Sequence, residues 1–405
     1  MKKLLNLTPF ILLVFAIFSG FIIYKAAYFA KDYHFSSLAQ SFVHGDLFLS
    51  PVNLPPGDFV DYRGKQYLFF GPMPSILLMP FVLFFGRDFP QITLSIFSII
   101  IIYLAIFKLC RKFEFKSTDS IYLSNFFVFG TVLYFVGIVN ISAYLVQAVA
   151  TMFVVLSLLE YFGKKRWFLI GLLTAGAFAT RATLFLICLF FLIEVLRQRK
   201  TINISRTLTL FLIPIVFTAL VLGIYNFRRF HSFLDTGYTR NVTVLSESNY
   251  NNKLGWFNPI HIPANLYALL IMSPEPVKRE NVTFALEFPF VKASGMGMAI
   301  WFTSPLFVYL IASRRKAYTL SALIAIAFLL MPSLFYFGIG TSQYGYRYAL
   351  DFIPLLFLLL LPAFGKTLPN FAKILIVGGM IFNTLYMLSI WDIYPLFNIG
   401  DYLKF

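Results

Sequence analysis

Charge is scarce in this chain, and negative charge scarcest. Only 12% of the 405 residues are charged and 17 of them are Asp or Glu. A soluble domain carries about 25% charged residues, so a water-surrounded globular fold is excluded. Hydrophobic residues make up 59% and aromatics 19%, a composition that belongs in a bilayer. Cysteine is nearly absent: Cys110 and Cys188 fall in or beside apolar runs. No disulfide framework and no Cys-based metal site can be built from them. Internal repeats and low-complexity tracts are missing as well, so nothing divides residues 1–405 into separate domains.

What is present is positive charge, +16 net, and its distribution argues against nucleic acid. Basic residues fill short breaks between apolar runs: "KLCRKFEFK" (108–116), "KKR" (164–166), "RQRK" (197–200) and "SRRK" (313–316). Such clusters mark cytoplasmic loops. With Lys2, Lys3, Arg206, Lys366 and Lys373 they place 18 of the 33 Lys and Arg inside, while 13 of the 17 acids face outward. Residues 7–24 carry no charge and read as a retained first helix with a cytoplasmic N-terminus.

Alternation from that end predicts an all-α polytopic protein. Spans are expected near 7–27, 89–108, 119–139, 143–162, 207–225, 298–312, 317–337, 352–365 and 374–391. The apolar stretch 167–196 has inside markers on both flanks, so it is expected to hold two short helices meeting near "ATRAT" (179–183). That arrangement lifts Arg181 to the outer tip and avoids a charge at mid-bilayer, which costs at least ~2.5 kcal/mol. The total is about eleven spans with an outer C-terminus. Two large outer loops result, 28–88 and 226–297, each with an apolar piece expected to lie along the interface: "GPMPSILLMPFVLFFG" (71–86) and "NLYALLIMSPEP" (265–276). The inner loops are too short to hold an active site.

Candidate chemistry therefore sits in the outer loops. Asp32 in "DYHFSSLAQ" follows the first span, and partial desolvation there should raise its pKa, as a general base requires. A helix N-cap is the other role that fits it. His34 and His44 could join Asp32 or Asp46 around a metal, although no third fixed ligand accompanies them. Asp58 and Asp61 could pair with Arg63 or Lys65, or assist the base. "YNFRRFHSFLDTGYTR" (225–240) packs arginines at a membrane exit, suited to a lipid-linked phosphate or to anionic headgroups. Arg347 in "SQYGYRYALDF" lies among Tyr344, Tyr346 and Tyr348, which could bind a sugar or form an interfacial belt.

Four stretches together resemble the polytopic GT-C glycosyltransferases, in particular bacterial members similar to protein O-mannosyltransferases and to the transferase that adds aminoarabinose to lipid A. They are "DYHFSSLAQSFVHGDLFL" (32–49), "DYRGKQYLFFGPMPSILLMP" (61–80), "YNFRRFHSFLDTGY" (225–238) and "YGYRYALDFIP" (344–354). "LLTAGAFATRATLFL" (172–186) also looks like that family's short paired helices. The resemblance implies a GT-C-like fold and inverting transfer of a sugar from a polyprenyl-phosphate carrier to a glycan, lipid or protein acceptor at the outer face of a bacterial plasma membrane. It puts the catalytic carboxylate at Asp32. Many relatives have a second acid next to it, where this chain has Tyr33. Arg347, Arg181 and Arg228 are the candidates for holding the donor phosphate, and Asp58, Asp61, Tyr67, Tyr344 and His34 could assist. With cationic side chains to stabilise it, phosphate is already an adequate leaving group, so the resemblance implies no required cofactor, though some relatives bind a divalent metal. The competing expectation is a lipid-phosphate or solute transporter, a class marked by repeats and broken helices at the midplane.

Overall fold

The computed structural model describes residues 2–26, 32–49, 58–240, 255–279, 282–294, 296–340 and 343–390. The expected outer C-terminus lies outside the described residues. The chain is mostly helical, 69%, with little sheet. In chain order α1 is Lys2–Ala26, α2 His34–Val43, α3 Met73–Phe85, α4 Ile92–Lys112, α5 Ser117–Phe129, α6 Leu133–Ile138 and α7 Ser142–Tyr161. There follow α8 Trp167–Thr180, α9 Cys188–Arg197, α10 Ile204–Phe230, α11 Ile262–Leu270, α12 Ile300–Thr303, α13 Thr319–Phe335, α14 Ile353–Leu360 and α15 Asn370–Ile390. Among the described residues, four helices are long and apolar enough to cross a membrane, Ile92–Lys112, Ser142–Tyr161, Ile204–Phe230 and Asn370–Met387, and several shorter apolar ones accompany them.

Two segments expected to be continuous helices are broken. The 119–139 run stops after α5 at Gly130 and resumes in α6, and the 298–312 run gives only α12 before a 3-10 turn that starts at Pro305. Proline has no N–H to continue the ladder. In an apolar surrounding the carbonyls freed at such breaks must find donors, and two side chains provide them. Asn383 Nδ2 donates to Phe129 O at 3.1 Å and to Thr303 O at 3.0 Å. The Tyr344 hydroxyl donates to Thr131 O at 2.7 Å. Tyr344 is fully buried, so this expected auxiliary residue is a core staple and not part of the site.

The segment 164–200 folds as its flanks imply. The helical path breaks at Arg181, whose backbone is extended (φ −139°, ψ 120°) between α8 and the 3-10 turn Ala182–Ile187. Both flanks return to the same place: Lys165 Nζ donates to Gln198 Oε1 at 2.9 Å, and Gln198 Nε2 donates to the Tyr161 hydroxyl at 2.9 Å. Other basic breaks gather there too. Phe113 and Phe162 pack with ring centroids 5.2 Å apart, Phe162 and Tyr318 likewise at 5.2 Å, and Lys366 pairs with Glu114. One end of the helix bundle thus collects the positive loops. Glu194, fully buried, ties this end together by accepting the hydroxyls of Tyr161 and Ser321 and pairing with Arg197.

The opposite end carries two short hairpins that an all-α expectation did not include. Strands β1 (Phe59–Tyr62) and β2 (Lys65–Leu68) pair antiparallel, with Arg63 and Gly64 both at positive φ in the two-residue turn, the geometry that matches strand twist. Strands β3 (Glu275–Arg279) and β4 (Val282–Lys292) form the other. After β2 the chain passes Gly71, where a Cβ would overlap the Ala179 carbonyl just before the Arg181 break. Gly71→Ala must push these two segments apart. We expect it to lower the thermal unfolding midpoint by several degrees, in line with about 1–3 kcal/mol for overpacking, as read by differential scanning fluorimetry of the purified protein.

Candidate active site

Two carboxylates meet at the first turn of α7. Asp32 Oδ2 accepts the Ser142 N–H at 2.7 Å, and Asp58 Oδ2 accepts the Ala143 N–H at 3.2 Å. The N-terminus of a helix presents unpaired N–H groups and a positive dipole end, so it attracts anions. Here the helix is 20 residues long, and the acids come from 85 and 110 positions earlier in the chain. Asp32 also accepts the His34 N–H, the first of α2, at 3.1 Å on Oδ1, and the same oxygen is paired with the His34 ring nitrogen Nδ1. One residue therefore serves both the start of α2 and the site. Asn140 Nδ2 holds the Asp32 carbonyl at 3.2 Å.

Around this pair the supports are buried. His34 Nδ1 lies 3.1 Å from Ser142 Oγ, to which Gln91 Nε2 donates at 3.2 Å, while Gln91 Oε1 accepts the Phe35 N–H at 2.9 Å. The Phe59 ring packs edge-on against His34 with centroids 5.5 Å apart. These contacts fix Asp32 and His34 as a unit.

The electrostatics of the two acids differ, and not in the expected sense. Burial by itself would raise the Asp32 pKa, but the His34 hydrogen bond and charge and the donors of Ser142 outweigh it, leaving the carboxyl below its ordinary value. The raised pKa anticipated for Asp32 belongs instead to Asp58. Burial first and the neighbouring Asp32 charge second push Asp58 up to about 6, against the opposing pull of His34, Arg347 and the Ala143 N–H. Of the two, Asp58 is the acid poised near neutral pH.

Arg347 supplies the facing cation. It starts the 3-10 turn Arg347–Asp351, and its guanidinium lies 5.1 Å from the Tyr144 ring and 5.2 Å from the Tyr348 ring. Its Nη2 donates to the Tyr348 hydroxyl at 3.5 Å. Tyr348 continues into an aromatic group. Its ring lies 6.1 Å from that of Tyr336, whose hydroxyl is 3.0 Å from the Tyr238 hydroxyl. Arg181 reaches the same turn from the α8 break: Nε is 3.0 Å and Nη2 3.1 Å from the two oxygens of Asp351, which also accepts Thr183 Oγ1 at 2.9 Å. This two-pronged pair neutralises much of the Arg181 charge, so Arg181 holds the turn that carries Arg347.

The other expected residues lie elsewhere. Arg228 is exposed, whereas Arg229 beside it turns inward, 3% exposed, donating to Leu68 O at 2.7 Å and lying 3.8 Å over the Tyr225 ring. Asp61 points outward because strand side chains alternate and Val60 faces in. Tyr67 packs with Val60, Phe69 and Phe230 in a small core under the hairpin. Among the described residues no three His, Cys, Asp or Glu side chains gather to hold a metal, and Asp32 and His34 are paired with each other. Sequence reasoning passed over Asn140, Ser142, Tyr144 and Asp351. Only the position of "NIS" (140–142) at the head of a long apolar run pointed toward the first two. Compared with known proteins, the chain matches no family model, no curated protein and no solved structure.

Proposed function

We propose that this protein is an inverting glycosyltransferase that moves a sugar from a polyprenyl-phosphate carrier to an acceptor hydroxyl at the extracytoplasmic face of a membrane crossed by about eleven helical segments. The observation that carries this reading is the pairing of two unlike carboxylates at the head of α7 with the charge of Arg347, at the end of the bundle opposite the basic loops. Such an end is where a lipid-anchored donor and an acceptor arriving from water can meet.

In this mechanism the acceptor oxygen attacks the anomeric carbon from the side opposite the phosphate. The bond between that carbon and the phosphate oxygen breaks, and polyprenyl phosphate leaves with the electron pair. Asp58 takes the hydroxyl proton, since its raised pKa matches neutral conditions. Asp32 stays ionised and keeps Asp58 basic through charge repulsion, with His34 locked beside it. Arg347 balances the charge that develops on the phosphate, and Tyr144 and Tyr348 orient its guanidinium. No step requires a metal.

The test is incubation of purified protein with a synthetic polyprenyl-phosphate donor labelled in its sugar. Wild type is expected to move the label into a new glycosidic bond, or slowly into free sugar when water is the only acceptor. Passage of intact donor across proteoliposomes with no bond cleaved would sink the reading and favour a transporter.

A further inference from the structure

An exposed apolar stripe runs up α10 through Ile213, Phe217, Leu220, Ile224 and Phe227, spaced three or four residues apart as one helix face requires. It does not stop where the helix does. Beyond the left-handed residue His231, the Phe233 ring stacks on Phe227 with centroids 4.8 Å apart and planes 20° apart, and Leu234 is 91% exposed. Phe233 and Leu234 thus prolong the exposed apolar stripe past the end of the helix, and a contiguous patch of this kind marks a membrane-contact surface. Cations begin at the same level. Arg228 follows Ile224 by four positions, on the same face, and is exposed. From the β1–β2 turn, exposed Arg63 reaches His231, Nη1 to Nε2 2.9 Å. Lys65 lies 4.1 Å over the Phe48 ring, and Arg240 is paired with Asp235 at 2.7 Å. Among the described residues the acids here are Asp61 on the turn, Asp235 and the exposed Asp46, so the four cations Arg63, Lys65, Arg228 and Arg240 outnumber them.

We infer that this rim binds anionic phospholipid: Phe233 and Leu234 enter the boundary between headgroups and acyl chains, and Arg63 and Arg228 hold the phosphodiester. Charge complementarity and the continuity of the stripe both select this occupant. The donor phosphate is a poor fit, because Arg228 lies on the outward stripe while its neighbour Arg229 is the one turned into the protein.

The full-length protein in detergent is titrated with phosphatidylglycerol and, separately, phosphatidylcholine, and bound lipids are counted by native mass spectrometry. Wild type should retain phosphatidylglycerol preferentially. The double variant Arg63→Gln with Arg228→Gln should weaken that retention about tenfold, with Arg63→Lys and Arg228→Lys restoring most of it. In vesicles with brominated acyl chains, Leu234→Trp should show quenching beyond that of the 4 native tryptophans. Unchanged phosphatidylglycerol retention in the double variant, or an added tryptophan that stays unquenched, overturns the inference. Displacement of the lipid by inorganic phosphate or by a soluble acidic oligosaccharide would do so too, and would assign the rim to a soluble anion.

Discussion

Asp58→Asn is expected to yield a protein that is more stable than wild type at neutral pH and almost inactive. The activity loss follows from removing the proposed proton acceptor, typically ~10²–10⁴-fold. The stability gain follows from linkage. A carboxyl whose folded pKa is about 6, against an ordinary value of 3.8, binds its proton more readily in the folded state. Its charge therefore opposes folding above pH 6, and the penalty fades as pH falls through about 6 toward 4. At about pH 7.5 the relief from substitution is roughly 1–3 kcal/mol. Asparagine keeps an oxygen for the Ala143 N–H, so the head of α7 stays capped. In wild type, kcat/KM should fall about tenfold per pH unit below about 6, as Asp58 becomes protonated. Asp32→Asn is the informative partner: with the neighbouring charge gone, the acid limb of the profile should move to lower pH. A purely structural Asp58 would show loss of stability with loss of activity and no shift of the limb in the Asp32 variant.

The second large effect is expected at Arg347. Arg347→Ala removes the cation proposed to face the leaving phosphate and should cost ~10²–10³ in kcat. Arg347→Lys should recover only a fraction, because an ammonium cannot stack between the Tyr144 and Tyr348 rings as the planar guanidinium does. Steady-state kinetics with donor at saturation separates this from weaker donor binding, which would raise KM and leave kcat in place. An Arg347→Ala enzyme with normal kcat would remove Arg347 from the chemistry.

The sequence revealed those parts of the fold that local charge and length determine. The break at Arg181 was legible because an apolar run flanked by basic clusters at both ends, "KKR" and "RQRK", is expected to double back, and the contact between Lys165 and Gln198 brings the two ends together. Breaks at Gly130 and Ser304 were not legible. Their apolar runs are long enough to span, and what makes a break tolerable is Asn383, whose amide serves both from far along the chain. The site divides in the same way. Asp32 could be named a candidate from its place after the first apolar run, and Arg347 from the motif that carries the family resemblance. The exchange of pKa shifts between Asp32 and Asp58 could not, because it depends on His34 and on the head of α7, which reaches both acids only through tertiary folding. Arg228 and Arg229 are adjacent and chemically equal in the sequence. Only the helical phase, which puts Tyr225, Asn226 and Arg229 inward and Ile224, Phe227 and Arg228 outward, separates an internal staple from a rim cation.

The most direct test of an inverting transfer is the stereochemistry of a single turnover. A donor of defined anomeric configuration is turned over by the wild-type protein with a simple alcohol acceptor, and the new linkage is assigned by NMR. One base and direct attack predict inversion, α to β or β to α, with polyprenyl phosphate released in equal amount. Retention of configuration would demand a covalent sugar intermediate on a carboxylate, and would contradict both Asp58 as the base and Asp32 as its charged neighbour.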